Sequence, residues 1–320
     1  MEQPIKLKKY IYDKDDNSRQ IVWDSSSLST FLACPRLYKF TNLTGYKLKM
    51  YAPVTGFGSA VHGGFEILDR CKFEKKSKEE AVLESVSYII KECGEDLNKS
   101  EDKARGLEAG MRAIVWRAEE FWEDNLKIAT MPNGAPCLEQ RFEVPFGNLG
   151  HRLSGRIDKI VELDNRLYLC DTKTTKTSLT DLYFRNFQPN NQIYAYIWAA
   201  RNVLGLDIAG FIVDAIQTGV HFCRFNRNIF NVSQKSIDEW YTDAQYTIGL
   251  ADAYSTNKYY PANFTSCGNY GGCKFREVCA ESPDHREIIL DEDFIKEPHA
   301  DLVRDNVIHV DKNIFKRKKK

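Results

Sequence analysis

Two aspartates and a lysine lie on neighbouring apolar runs near the middle of the chain. Asp158 ends the sequence Gly-Arg-Ile-Asp, and Asp171 and Lys173 begin and end Asp-Thr-Lys, directly after Leu-Tyr-Leu-Cys. Side chains two residues apart on an extended strand share one face, so Asp171 and Lys173 are predicted to project together. If the two runs pair as strands, both carboxylates lie at the ends of those strands. Such carboxylates suit Mg²⁺ or Mn²⁺, and a neighbouring ammonium group can orient an activated water.

An aspartate two residues before a lysine is also common as a surface ion pair, which contributes little to stability. Three further residues have the right types to complete a site. His62 falls in a predicted helix after Gly56 and Gly58, although a lone helical histidine is more often structural than a ligand. Gln192 and Tyr196 are four residues apart on a predicted helix, so they share a face and could contact a single nucleotide.

The cysteines form a second candidate site. The chain has nine cysteines, an odd number that argues against a disulfide framework. Cys267, Cys273 and Cys279 have five residues between neighbours, and the glycines among them let the backbone wrap closely around a bound centre. An iron–sulfur cluster usually takes four thiolates, and Cys34, before Pro35, is the candidate fourth. Zinc and unrelated buried thiols are the alternatives. The remaining cysteines are predicted to be packing residues: Cys71, Cys93, Cys137, Cys170 and Cys223.

Composition sets limits on the class of protein. The 320 residues carry 45 Lys and Arg against 45 Asp and Glu, so any nucleic-acid surface must be a local basic patch. The basic residues 316–320 are predicted to be a solvated tail, with weak phosphate attraction as the alternative. We expect no membrane span, because no stretch approaches the about 20 apolar residues that cross a bilayer. The N-terminus lacks the apolar segment of a secretory signal, so we expect a cytoplasmic protein.

Hydrophobic periodicity predicts the elements that carry these residues. Apolar residues at helical spacing surround His62, and two amphipathic helices are predicted near 78–93 and 103–126. Strands follow at 138–146, 152–163 and 166–172, with a hairpin turn at Asp164 and Asn165. A helix is predicted to open at Pro189 and run to 201. Strands at 209–217 and 220–225, a turn at 218–219 and a helix near 233–254 complete an α/β fold.

Four motifs in this order resemble one family. Gly-Ser-Ala-Val-His62, Gly-Arg-Ile-Asp158, Asp171-Thr-Lys173 and Gln192-Ile-Tyr-Ala-Tyr196 are similar to the motifs of RecB-like PD-(D/E)XK nucleases. This branch includes the nuclease domains of RecB and AddAB and the CRISPR-associated RecB-like exonucleases. The resemblance implies a restriction-endonuclease-like α/β core sheet flanked by helices, with a helical lobe and an iron–sulfur region that joins the N- and C-terminal parts.

The same resemblance implies domain boundaries and site residues. It implies an N-terminal extension at 1–24, a nuclease domain at 25–280 with a helical insertion at about 75–130, and a polar tail at 281–320. The implied metal ligands for Mg²⁺ or Mn²⁺ are His62, Asp158, Asp171 and the backbone carbonyl of Thr172. Lys173 is the implied catalytic lysine, and Gln192 and Tyr196 the implied DNA-binding pair. The implied ligands of a [4Fe–4S] cluster are Cys34, Cys267, Cys273 and Cys279, although Cys267 and Cys273 are further apart than in many relatives.

The implied function is a metal-dependent DNA exonuclease that prefers single-stranded ends and acts in DNA recombination, repair or processing. The alternative is a catalytically silent or partner-dependent DNA-binding subunit. The sequence contains no P-loop motif, so we expect no helicase within it; a helicase, recombination or CRISPR-adaptation protein is a candidate partner. Cationic and aromatic residues near the motifs are candidate DNA contacts, or else surface charges and core aromatics: Arg36, Tyr38, Lys39, Arg156, Lys176, Tyr183, Phe184 and Arg185.

Overall fold

A computed structural model describes residues 22–49, 56–131, 133–147 and 151–296. Most of the predicted N-terminal extension and the basic tail at 316–320 lie outside the described residues. The chain forms two compact units. The first takes its described residues from 22–49, 143–147, 151–154 and 238–296, and the second from 56–131, 133–142 and 155–237.

The described strands are β1 (Val22–Trp23), β2 (Tyr46–Leu48), β3 (Lys127–Ile128), β4 (Leu138–Phe146), β5 (His151–Leu163), β6 (Arg166–Thr175), β7 (Ile208–Thr218), β8 (Cys223–Asn231) and β9 (Phe294–Lys296). The described α-helices are α1 (Ser25–Ala33), α2 (Pro35–Tyr38), α3 (Gly56–Phe73), α4 (Lys78–Tyr88), α5 (Gly94–Asn98), α6 (Leu107–Phe121), α7 (Asp181–Arg185), α8 (Asn191–Trp198), α9 (Gln234–Thr256), α10 (Arg276–Ala280) and α11 (Arg286–Asp293). Short π-helical segments cover Lys39–Leu43, Ile89–Cys93 and Ala199–Val203, and 3₁₀ turns cover Lys103–Arg105, Phe264–Ser266, Asn269–Gly271 and Pro283–His285.

A mixed sheet forms the centre of the second unit. The last part of β5 pairs antiparallel with β6, β6 pairs in parallel with β7, and β7 pairs antiparallel with β8. The parallel pair needs a crossover, which α7 and α8 provide. β7 is buried along nearly its whole length, and its largely apolar sequence is typical of a central strand that is covered on both faces. This arrangement confirms the predicted α/β class with a sheet flanked by helices.

The turn between β5 and β6 has the predicted hairpin geometry. Asp164 and Asn165 have φ values of 49° and 59°, the left-handed conformation that both central residues of a type I′ turn require. The turn sets the register, because Leu163 pairs with Arg166 and the ladder then continues to Lys159 and Cys170. Asp158 and Asp171 are the next residues along their strands.

Helix α3 has an apolar stripe that fixes the side of the helix on which His62 lies. Phe57, Val61, Phe65 and Leu68 are buried at intervals of three or four residues, which is one face of a helix. They form cores with residues of the sheet and of α4 and α6. His62 follows Val61 at the margin of this stripe. In the described part of the chain, no helix is long and apolar enough to cross a membrane.

The first unit brings the two ends of the described chain together. β2 pairs antiparallel with β9, and the short core between these segments is largely aromatic. Phe275 stacks on Phe294 with ring centroids 4.6 Å apart, and Phe40 lies 4.9 Å from Phe275. Residues 286–296, within the predicted polar tail, thus form α11 and β9, with Leu290 and Phe294 buried.

Three predicted element boundaries are wrong. The helix predicted from Pro189 begins at Asn191, because the Asn190 side chain accepts hydrogen bonds from the first free amides and acts as the N-cap. The strand predicted at 220–225 is β8, which runs from Cys223 to Asn231, so the connecting turn spans 219–222 rather than 218–219. The helix predicted at 103–126 is the shorter α6, which ends at Phe121.

Candidate active site

The two central aspartates lie where β5 and β6 separate. Lys159 and Cys170 form the last residue pair of the ladder between these strands, and Asp158 and Asp171 follow that pair directly. We predicted both carboxylates at strand ends, but β5 and β6 each continue past them. The end of the ladder, rather than the end of a strand, therefore brings the carboxylates together. Where the two strands separate, the Thr172 backbone amide donates a hydrogen bond to Asp158 Oδ2 at 2.8 Å.

Asp171, Lys173 and Gln192 form a closed triangle of polar contacts. Lys173 Nζ lies 2.6 Å from Asp171 Oδ2 and donates to Gln192 Oε1 at 2.9 Å. Gln192 Nε2 in turn donates to Asp171 Oδ1 at 3.1 Å. Asn190 caps α8 through the Gln192 amide, so the start of this helix is fixed where its first turn reaches β6. Lys173 and Asp171 project together, as the strand period predicts.

Tyr196 lies next to Gln192, one member of this triangle. It is 7% exposed, and its ring meets that of Phe142 edge-on at 5.4 Å. A Cβ at Gly155 would come within 2.6 Å of both rings, so only glycine permits this packing. Burial raises the pKa of Tyr196, whereas hydrogen bonds with the Gln192 side chain and the Arg156 backbone lower it. Gln192 thus contacts Asp171 and Lys173 directly, whereas Tyr196 contacts Gln192; the role of both residues in DNA binding stays a prediction.

Burial raises the pKa of Asp171 to about 6, with a further contribution from the charge of Asp158, although Lys173 and Gln192 oppose the shift. The carboxyl is 4% exposed. The single ammonium group of Lys173 therefore does not fully compensate the loss of hydration. A second positive charge beside Asp171 would stabilise the ionised carboxylate.

His62 and Asp158 form the other half of the site. His62 Nδ1 lies 3.3 Å from Asp158 Oδ2. Burial is the largest influence on His62 and lowers its pKa; Asp158 raises it, and Lys173, Arg156 and Lys159 lower it further. The imidazole is therefore neutral near pH 7, which is the state that can bind a metal ion.

The donor set fits a hard divalent cation. Adjacent ligands of an octahedral Mg²⁺ lie about 3 Å apart, close to the separation of His62 Nδ1 and Asp158 Oδ2. No group of three or more His, Cys, Asp or Glu side chains in the described ranges stands ready to hold a metal ion. Asp171 is instead held by Lys173 and Gln192, and its carboxylate would have to turn from these partners to share a cation with Asp158. The ligand roles of His62, Asp158, Asp171 and the Thr172 carbonyl stay predictions.

The four predicted cluster cysteines all lie in the first unit, each partly exposed and free. Burial raises the pKa of Cys273, and the charges of Cys267, Cys279 and Cys34 raise it further. The four thiols are therefore neighbours. The Asn263 amide donates to Cys34 Sγ at 3.3 Å, which ties the N-terminal cysteine to the loop before Cys267. The donors fit a thiolate-bound centre, but the four thiols do not stand ready to hold one, so the cluster stays a prediction.

The other cysteines behave as packing residues. Cys71, Cys137, Cys170 and Cys223 are buried, and burial raises the pKa of Cys170 to about 12 and those of Cys137 and Cys223 to about 11. Cys93 is half-buried against the core that contains α3. Their thiols are therefore protonated and unreactive near pH 7.

The candidate DNA contacts separate by burial. Tyr38 is 2% exposed and Phe184 is 3% exposed, so both are core residues and cannot stack on a base. Tyr183 is only half-buried, and the charge of Asp171 contributes to its raised pKa after burial. Its ring contacts Phe187 edge-on at 5.4 Å, so an aromatic surface lies beside the polar triangle.

Sequence reasoning missed Glu139. Its carboxylate Oε2 lies 2.8 Å from Arg156 Nε, and its backbone has a φ of 51°. Burial raises the pKa of Glu139 to about 7; Arg156 lowers it, and the charges of Asp158 and Glu66 raise it. The carboxyl therefore belongs to the surroundings of Asp158. Glu139 is the second residue of the strand predicted at 138–146, and nothing in that local pattern distinguishes it from a surface residue.

A search of curated proteins finds no match. Among solved structures, the chain is similar to a candidate exonuclease from Eubacterium rectale, with a TM-score of 0.45 and 12% identity over 77% of this chain and 86% of that one. It is also similar to SSO0001, with a TM-score of 0.25 and 13% identity over 58% of this chain and 74% of that one. The family model described as the PD-(D/E)XK nuclease superfamily matches residues 24–280, and the chain belongs to this superfamily.

Proposed function

We propose that the protein is a DNA exonuclease of the RecB-like branch, which hydrolyses phosphodiester bonds with Mg²⁺ or Mn²⁺ and prefers single-stranded ends. The observation that carries the proposal is the triangle of Asp171, Lys173 and Gln192 beside the Asp158 and His62 pair. A bound divalent cation would polarise the phosphodiester and lower the pKa of a water. We propose a role in DNA recombination, repair or processing, alongside a helicase, recombination or CRISPR-adaptation partner.

Each residue of the site has one proposed task. His62, Asp158, Asp171 and the Thr172 carbonyl would hold the cation. Gln192 holds the Lys173 ammonium group in place by accepting its hydrogen bond. Lys173, which is 30% exposed, would orient the attacking water and offset the negative charge that develops on the phosphate.

The preference for single strands rests on Tyr183. A half-buried aromatic ring beside the site can stack on a base only if that base is unpaired and turned outward. Lys176 is exposed in the same segment between β6 and α8, where it can contact a neighbouring phosphate. Stacking and phosphate contacts do not read base edges, so we expect little sequence preference.

The four neighbouring cysteines of the first unit are the proposed ligands of a [4Fe–4S] cluster. Cys34 precedes α2, whereas Cys267, Cys273 and Cys279 lie near α10. Cys273 and Cys279 pack against the aromatic core of this unit. A cluster here would crosslink the two ends of the described chain, so its proposed task is structural, with no redox step in hydrolysis.

The test is degradation of single-stranded and duplex DNA, labelled at either end, by anaerobically purified protein. Reactions with Mn²⁺, Mg²⁺ or EDTA are compared. We expect cleavage with either metal, none with EDTA, and faster loss of the single strand; the label released first gives the polarity. DNA binding without cleavage under every metal would contradict the proposal and favour a silent or partner-dependent subunit.

A further inference from the structure

A network of buried charges lies behind the proposed metal ligands. Lys159 follows Asp158 on β5 and is 3% exposed. Its Nζ lies 2.7 Å from Asp69 Oδ2 and 3.8 Å from Asp214 Oδ2. Asp214, on β7, is fully buried and also binds Arg117 of α6 at 2.6 Å. These charges are paired inside the second unit, where an unpaired charge would be costly.

The Asp69 and Lys159 pair joins the same two elements as the His62 and Asp158 pair. His62 and Asp69 are both on α3, seven residues and therefore about two turns apart, so they share one face of the helix. Asp158 and Lys159 are consecutive on β5. Two polar contacts along one helix face fix the rotation of α3 about its axis and its position along β5.

The position of His62 depends on this second contact. His62 Nδ1 is 3.3 Å from Asp158 Oδ2, and a small rotation of α3 would move the imidazole out of reach. The apolar stripe of α3 sets which side of the helix faces the core, but apolar burial is not directional and leaves the fine adjustment of the rotation to polar contacts. The short ion pair at Asp69, which is 17% exposed, is directional and well shielded from water.

We infer that Asp69 and Lys159 are positioning residues that hold α3 in the rotation where His62 and Asp158 can share one divalent cation. This inference rests on the proposed function, since it assigns these residues to the site that holds the metal. Neither residue touches the cation or the substrate. They act through the elements that carry His62 and Asp158, by holding α3 against β5.

A matched control lies in the same network. Asp124 Oδ1 pairs with Lys72 of α3 at 3.1 Å, and its other oxygen pairs with Arg227 of β8. Asp124→Asn therefore also removes a carboxylate that anchors α3, but it leaves the contact with β5 intact. A loss of stability alone would affect both variants, whereas a loss of positioning would affect only Asp69→Asn.

The experiment is calorimetric titration of metal-free protein with Mn²⁺, well below the thermal midpoint of each variant. We expect Asp69→Asn to bind Mn²⁺ about tenfold more weakly than the parent, and Asp124→Asn within about twofold of it. Asp69→Glu keeps the charge, so it should recover affinity to within about threefold. If Asp69→Asn does not fold, the double variant Asp69→Asn with Lys159→Gln leaves neither partner charged, and the same tenfold loss is expected.

Two results would overturn the inference. Equal Mn²⁺ affinity in the parent and in Asp69→Asn, or in its double replacement, would show that the pair does not position the ligands. An equal loss in Asp69→Asn and Asp124→Asn would show a general effect of anchoring α3. If the parent itself bound no Mn²⁺, the proposed metal-dependent function would fail as well, which separates that outcome from the first two.

Discussion

The burial of Asp171 predicts that this residue destabilises the metal-free protein. Burial raises its pKa from 3.8 to about 6, so the folded protein binds the proton more tightly than the unfolded chain does. This tighter proton binding stabilises the folded protein. The stabilisation is complete below the unfolded pKa of about 3.9 and is lost as the pH rises through about 6. The site is therefore least stable at the pH where Asp171 must be ionised to bind a cation.

The variant Asp171→Asn removes the titration without removing the side chain's bulk. The difference between 3.8 and about 6 corresponds to about 3 kcal/mol, at about 1.36 kcal/mol per pKa unit. In free energy of unfolding, we expect Asp171→Asn to exceed the parent by only about 0.5 kcal/mol at pH 4 and by about 3 kcal/mol at pH 8. Nuclease activity should be lost in the same variant.

The assay is urea unfolding in EDTA at pH 4, 6 and 8, with the exposed Glu123→Gln as a control that should follow the parent throughout. A difference between Asp171→Asn and the parent that does not change with pH would refute the reasoning. Saturating Mn²⁺ offers a second check. At a concentration of one hundred times its Kd, Mn²⁺ should stabilise the parent by about 2.7 kcal/mol. It should stabilise Asp171→Asn much less.

Three further predictions concern other parts of the chain. Cys273→Ser should lose most of the iron and sulfide measured in anaerobically purified protein, whereas Cys93→Ser should keep it; iron retained in both would contradict the proposed cluster ligands. Gly155→Ala should lower the free energy of unfolding by about 1–3 kcal/mol, because its Cβ would come within 2.6 Å of Phe142 and Tyr196. Gly249→Ala, whose Cβ meets nothing within 4 Å in the middle of α9, should raise it by about 0.5–1 kcal/mol, and a loss there would contradict the packing. Tyr183→Leu should raise the KM for single-stranded DNA about tenfold but change that for duplex little, with Tyr183→Phe near the parent; equal effects on both substrates would exclude stacking.

The local patterns of the sequence predicted the hairpin, the strand faces and the α/β class. Asp164 and Asn165 favour the left-handed turn conformation, and the two-residue strand period places Asp171 and Lys173 together. The end of the ladder at Lys159 was not predictable, because the separation of β5 from β6 depends on how each strand pairs elsewhere. The same is true of Gln192, whose contact with Lys173 depends on a crossover of the chain.

The buried charges show what a single sequence leaves open. Lys159 and Asp214 stand within apolar strands, and a charged residue in such a run indicates a buried partner. The sequence does not say which of its 45 acidic and 45 basic residues that partner is. Asp69 looks like an ordinary residue on the polar side of α3, and only the fold brings it to Lys159. Glu139 was missed for the same reason.

The most direct test of the proposed chemistry is the single-turnover rate of single-stranded DNA cleavage in Mn²⁺ for Lys173→Ala. The control is Lys99→Ala, since Lys99 is 68% exposed and its ion pair is with the exposed Glu95, four residues before it. We predict that Lys173→Ala cleaves about a hundredfold more slowly or worse, while it stays folded at the assay temperature and still binds Mn²⁺ and DNA. Cleavage by Lys173→Ala at the rate of Lys99→Ala would contradict the account.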